Sequence, residues 1–196
     1  AMAPAVQDRV AEVTGAQVLQ SYGMTESTSH CTLDPRDGEV RRRCSGIRVP
    51  YVKVRIVKMG EGATILRDCE VDEIGMVLVG GPGVAGGYLD ASQDKGAFLA
   101  NGFFVSGDLG SMDAQGYLRI SGRQKDLIIR GGHNIEPGLI EEALLQSPYV
   151  ALAAAVGKPD AHAGELPIAY VELHPGMQVS SEELLSFASE RIPERP

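Results

Sequence analysis

Apolar residues at Val6, Val10 and Val13 recur at helical spacing, and Pro4 is tolerated in a first turn, so residues 4–13 predict a helix. Gln17-Val18-Leu19-Gln20 then reads as a short strand that ends in a hydroxyl-rich loop, Ser21 to His30, containing Gly23. Val52 to Ile56 alternates strictly and predicts a half-buried strand, turned back at Gly60-Glu61-Gly62. Met76 to Val79 is a short apolar strand that runs into a glycine-rich stretch, Gly80 to Tyr88. A further apolar strand begins at Phe103, with Asp108 just after it between Gly107 and Gly110 on exposed backbone. Asp113-Ala114-Gln115-Gly116 is a hairpin turn, and Tyr117 to Ser121 the returning strand.

Past Gly122 the pattern changes. Leu127-Ile128-Ile129 predicts a short strand, and Pro137 opens a helix with Leu139, Ile140, Ala143 and Leu144 on one face, stopped by Pro148. Val150 to Val156 predicts a buried strand and Ile168 to Leu173 a second. Ser180 and Glu183 have capping-box spacing for a last helix that Pro193 ends. The order is βαββα. The expectation is an α+β protein: a strand-rich, β-barrel-like part over residues 1–122, then a small α+β domain over residues 123–196, joined near Gly122 to Lys125.

Composition narrows the function classes. A chain of 196 residues suits one domain or two small ones, at ~100–200 residues per domain. A net charge of −8 argues against a duplex-binding surface, which needs a local surplus of Lys and Arg, so no nucleic-acid partner is expected. Cys31, Cys44 and Cys69 form no C-x-x-C pair, which suits free thiols in a reducing compartment rather than a disulfide framework or zinc site. The opening does not read as a secretory or transit peptide, and the longest apolar run, Val150 to Val156, falls well short of the ~20 residues of a membrane span. A soluble cytoplasmic protein is expected.

Candidate chemistry begins in the loop after Gln20, where a strand end can present side chains to a ligand. Glu26 is able to bind a hard cation such as Mg²⁺, Thr25 to reach a phosphate oxygen and Tyr22 to lie against a flat ring; a solvated Ser/Thr turn accounts for the same composition. Arg41-Arg42-Arg43 and Arg48, in a strand-and-turn segment, read as a solvated face, with a peripheral phosphate site as the alternative. The Gly80 to Tyr88 stretch lacks the Gly-Lys-Ser/Thr of a phosphate loop and reads as turn chemistry. Asp108 is placed either to accept the two hydroxyls of a ribose or to cap a turn.

Three stretches then form one pattern. Tyr22-Gly23-Met24-Thr25-Glu26, Ser106-Gly107-Asp108, and Gly122-Arg123-x-Lys125-Asp126 with Gly131-Gly132-x-Asn134-Ile135-x-Pro137 and Ile140-Glu141 resemble the adenylate-forming superfamily, and within it bacterial fatty acyl-CoA synthetases. The resemblance implies ATP or AMP, Mg²⁺ and coenzyme A as cofactors and a carboxylic acid as substrate. It assigns Tyr22 to adenine, Gly23 to the nucleotide loop, Thr25 to the α-phosphate, and Glu26 to Mg²⁺, with Thr25 and Glu26 as the catalytic pair. Asp108 and Arg123 take the ribose, Lys125 is the hinge between large and small domains, and Gly131-Gly132 lines the pantetheine tunnel, where a side chain would obstruct close approach. His30 and Cys31 differ from the small residues expected after the first motif; they shape a pocket rim or are ordinary loop residues.

The family's phosphate loop belongs far ahead of Tyr22, where only 21 residues stand, and its catalytic lysine belongs beyond Pro196. The resemblance therefore implies a carboxyl-terminal fragment that is inactive by itself. Two other functions share the pattern: amino-acid adenylation that loads a carrier protein, and a non-enzymatic module that binds nucleotide or coenzyme A.

Overall fold

The computed structural model describes residues 4–192. The chain divides into two compact units, Ala1–Gln124 and Lys125–Pro196.

The first unit opens with helix α1 (Pro4–Thr14). Strands β1 (Ser21–Met24), β2 (Ser29–Leu33) and β3 (Ile47–Arg48) form an antiparallel sheet in that order. Strands β4 (Lys53–Met59), β5 (Ile65–Asp68), β6 (Gly75–Gly80), β7 (Phe103–Met112) and β8 (Leu118–Arg123) form a second, ordered β5-β4-β6-β7-β8. The two sheets meet where Ile47 bridges Tyr117 and Ser45 and Leu118 exchange backbone bonds with Leu118 and Gly46 respectively. The strands leave the sheets open, without a closed barrel among the described residues.

Strand β6 explains the apolar run at its centre. It lies in the middle of its sheet with every residue buried. Val77 and Val79 join Cys31, Ile56 and Leu118 in one core, while Met76 and Leu78 join Val57 in another. A strand covered on both faces needs apolar residues at every position rather than alternate ones.

The expected strand at Gln17–Gln20 is instead irregular, and the ladder starts at Ser21. Asp34 supplies the reason: its carboxylate Oδ2 accepts from the Gln20 amide at 2.8 Å, and its own amide donates to the Gln20 carbonyl at 2.8 Å. A side chain thus occupies the place of a ladder partner. The predicted Ser21–His30 loop is a strand, a single 3₁₀ turn (Thr25–Ser27) and the return strand β2. Thr28 and Ser29, at φ 57° and 84°, reverse the chain there. Residues 34–46 hold no strand, so of the arginine segment only Arg48 lies in one.

The second unit contains β9 (Ile128–Arg130), β10 (His133–Ile135), α2 (Pro137–Leu145), β11 (Val150–Asp160), β12 (Gly164–Leu173) and α3 (Ser181–Ser189), with sheet order β10-β9-β12-β11. Strand β10 adds an element to the expected βαββα order, making it ββαββα. Both helices pack on one sheet face through Ala143, Leu144 and Ala188, joined by Ala153 and Val171 from the strands. For that reason β11 is half covered rather than buried throughout: Leu152 and Val156 are 63% and 45% exposed. Ser180 and Glu183 form the expected capping box, with Ser180 Oγ accepting from the Glu183 amide at 3.2 Å. Helix α3 ends at Ser189; Pro193, expected to end it, lies outside the described residues.

Candidate active site

The Ser106-Gly107-Asp108 stretch is a bulge inside β7, where the register against β6 slips between Met76 and Leu78. Gly107 takes φ 75°, which an L side chain disfavours, and the Ser106 hydroxyl replaces a ladder donor by bonding the Val77 carbonyl at 2.8 Å. The same hydroxyl accepts from the Asp108 amide at 3.0 Å. Asp108 therefore sits within a strand and is 8% exposed, a correction to the expectation of exposed backbone after a strand end.

Two donors hold its carboxylate. Tyr22 Oη donates to Asp108 Oδ2 at 2.7 Å, and Arg123 Nε to Oδ1 at 3.2 Å. Asp108 and Arg123 are cross-strand partners in the β7–β8 ladder, which fixes their proximity. The Asp108 carboxylate keeps a face on a cleft of about 860 Å³, lined also by Arg123, Gly107, Gly23, Met24, Glu26, Tyr88 and Lys95.

Tyr22 is not among the residues lining this cleft. Its ring packs against the core around Val77 and Leu118, and burial, followed by the hydrogen bond to Asp108, holds its phenol well above the usual tyrosine range. Its observed part is to hold Asp108 through the phenol hydroxyl.

Gly23 admits no side chain, because a Cβ there would lie 1.4 Å from the Ser29 carbonyl oxygen. Glu26, on the 3₁₀ turn, faces the same cleft as Asp108, and its Oε1 accepts from the Tyr88 hydroxyl at 2.7 Å. This bond, with burial second, raises the Tyr88 phenol to about 12. Thr25 lines a smaller neighbouring cleft of about 420 Å³ with Ser21, Gly23, Met24, Ser29 and His30. Cys31 does not reach that rim: it is fully buried against the Ser27 hydroxyl, and burial pushes its thiol pKa up.

In the second unit Gly131 and Gly132 are the two-residue tip of the β9–β10 hairpin, at φ 56° and 81°. A Cβ at either meets no protein atom within 4 Å, so within the chain itself glycine answers a conformational demand here. Lys125 is exposed in the 3₁₀ turn Gln124–Asp126, at the boundary between the units.

Tyr88 was missed by the reading of Gly80 to Tyr88 as plain turn. The signal available was the Gly86-Gly87-Tyr88 run itself, a tyrosine behind two glycines. The Arg41-Arg42-Arg43 run proves mostly structural. Arg41 pairs with Asp113 and Glu39 and lies 4.3 Å from the Tyr117 ring centroid, while Arg42 pairs with Asp8. Among the described residues no group of three or more His, Cys, Asp and Glu side chains is gathered as for a metal, and no helix is long and apolar enough to cross a membrane.

Two carboxylates thus face one cleft, the first held by an arginine and a half-buried tyrosine, in an α+β scaffold. The chain belongs to the adenylate-forming superfamily: residues 1–89 match the AMP-binding enzyme family and residues 139–195 the AMP-binding enzyme C-terminal domain. It is 45% identical over 181 residues to the marinolic acid–CoA ligase of Pseudoalteromonas sp. strain SANK 73390, covering 92% of this chain and 28% of that one. The structure of ATP-bound MatB from Rhodopseudomonas palustris superposes with TM-score 0.89 at 33% identity, over 98% of this chain and 37% of the other. The O-succinylbenzoate coenzyme A synthetase (MenE) of Bacillus subtilis, in complex with ATP and magnesium, gives TM-score 0.83 at 32% identity, over 98% and 38%. The chain thus spans about a third of the length of these relatives.

Proposed function

We propose that this chain works as part of an ATP-dependent acid–thiol ligase, which joins a carboxylic acid to coenzyme A through an acyl-adenylate. The observation that carries the reading is the clamped Asp108 carboxylate sharing a cleft with Glu26. A carboxylate whose orientation is fixed on two sides is suited to accept both hydroxyls of a ribose, and Arg123, whose side chain stays 56% exposed beside it, has further N–H groups to offer.

In the first half-reaction a substrate carboxylate oxygen attacks the α-phosphorus of ATP, the bond to the β-phosphate oxygen breaks, and pyrophosphate leaves. The Thr25 hydroxyl is the donor we assign to the α-phosphate oxygen as its charge rises. In the second, the sulfur of coenzyme A adds to the acyl carbonyl and AMP departs, the thiol proton going to solvent. Lys125 is the proposed pivot between the two arrangements, with Gly131 and Gly132 contributing backbone beside the thiol arm.

Glu26 fits Mg²⁺ as a single carboxylate ligand: it faces the cleft, its Oε1 accepts from Tyr88, and substrate phosphates and water commonly complete such a set. When bound, the ion would offset the negative charge of the phosphates. The acid we assign is a fatty acid, on the motif resemblance, and the three free cysteines support a cytoplasmic setting.

The test is pyrophosphate exchange by the complete ligase over a panel of fatty, aromatic and amino acids. Exchange with a fatty acid and release of its coenzyme A thioester are expected. Exchange with none of the panel defeats the ligase reading, and exchange with aromatic or amino acids alone defeats the fatty-acid assignment.

A further inference from the structure

The Glu26 carboxylate stands on one 3₁₀ turn between exposed threonines, Thr25 and Thr28, a position that by itself leaves a glutamate free to change rotamer. Resting on the ligase reading above, we infer that Tyr88 is a positioning residue for Glu26, fixing one carboxylate oxygen so that the other is held ready for the nucleotide's divalent cation.

Tyr88 is itself held at two points. Its amide donates to Asp94 Oδ1 at 2.7 Å, and its ring meets Phe98 edge-on at 5.3 Å between centroids. Phe98 in turn packs at 5.0 Å against Phe104, a buried residue of β7. A line of contacts therefore runs from the core of the five-stranded sheet to the Tyr88 hydroxyl, and from there over 2.7 Å to Glu26 Oε1. Two further bonds tie the same glycine-rich stretch to the turn that carries Glu26: the Ala85 amide donates to the Glu26 carbonyl at 2.8 Å, and the Thr28 hydroxyl to the Gly83 carbonyl at 2.7 Å. Gly87 suits the arrangement, because its φ of 149° disfavours an L side chain and a Cβ there would displace the Asp94 carboxylate that the Tyr88 amide bonds. What looked like plain turn chemistry is a brace that holds the turn and its carboxylate together. A ligand held in place before the cation arrives loses less freedom on binding it, and hydrogen-bonded partners of metal-binding side chains typically govern affinity for that reason.

The test measures ATP affinity of the complete ligase by calorimetric titration across a series of Mg²⁺ concentrations. Tyr88→Phe keeps the ring against Phe98 and removes only the hydroxyl. The Mg²⁺ concentration for half-maximal ATP binding is expected to rise roughly tenfold, with ATP affinity restored at saturating Mg²⁺ and the melting temperature unchanged. In a Glu26→Gln background the same substitution is expected to add nothing. An unchanged Mg²⁺ requirement in Tyr88→Phe, or an equal shift in both backgrounds, overturns the positioning role while leaving the ligase reading intact. A wild-type enzyme that binds ATP equally well without Mg²⁺ removes the cation role and this inference with it, and one that binds no ATP at all overturns the ligase reading as well.

Discussion

Asp108 is the carboxylate in the cleft lining that two donors hold, and its burial explains why both are needed. A buried carboxylate is costly unless its lone pairs are engaged, and Tyr22 and Arg123 engage one oxygen each. Asp108→Ala in the complete ligase is expected to weaken AMP binding by ~1.5–3 kcal/mol, the scale of hydrogen bonds to a charged group, as read by equilibrium titration; unchanged affinity counts against the ribose assignment. Tyr22 gives a second expectation through pH. Its ordinary value is 10.0, and the folded protein holds it higher, through burial first and the bond to Asp108 second. The folded state therefore keeps a proton that the unfolded chain gives up, so the contribution to stability is complete below pH 10 and declines as the pH rises above it. Denaturant midpoints measured from pH 8 to 11 should fall more steeply for the wild type than for Tyr22→Phe; parallel curves would contradict this. Motif matching found these three residues, but not the pairing of the phenol with the carboxylate. Tyr22 and Asp108 are 86 positions apart, and only the packing of one sheet on the other brings them together.

Elements were legible where local signals and packing agree. The all-apolar centre of β6, the Asp113 to Gly116 hairpin and the Ser180 capping box each carry their own cause in the sequence. Element bounds failed where a partner from elsewhere intervenes, as with Asp34 at Gln20, or where cover reaches one face only, as on β11. The β9–β10 hairpin was missed because its strands are three residues each and the glycine pair was credited to ligand approach. The structure yields a separate expectation for that pair. Positive φ in open space means that Gly132→Ala should destabilise the small unit by about 1–2 kcal/mol through backbone conformation alone. Gly132→Asn should cost less, since asparagine tolerates that region better. Urea denaturation decides it, and equal losses for both would contradict the conformational account. Likewise, Ser180→Ala removes the cap of α3 and should cost about 1 kcal/mol, with Ser180→Thr retaining most of it.

At the scale of the whole molecule, the division after Gln124 falls beside the residue that the motif pattern marks as a pivot. Each unit has its own core: Val77, Val79 and Leu118 with Val57 and Leu78 in the first, and Ala143, Leu144 and Ala188 in the second. Units that are separately cored can change their relation through a few backbone dihedrals in the connecting turn, and Lys125 sits in that turn, exposed and without a hydrogen-bonded side chain among the described residues. Proline at this position fixes its own φ near −65° and restrains Gln124 before it, while removing no core contact. Lys125→Pro in the complete ligase is therefore expected to leave both units folded, with the melting profile unchanged. The two half-reactions should respond unequally: either pyrophosphate exchange or thioester formation from a supplied acyl-adenylate should fall by at least about tenfold more than the other, corresponding to ~1.4 kcal/mol of differential barrier. A variant that loses both in equal measure would show that the turn is a passive connector, and the pivot would have to be sought elsewhere in the chain.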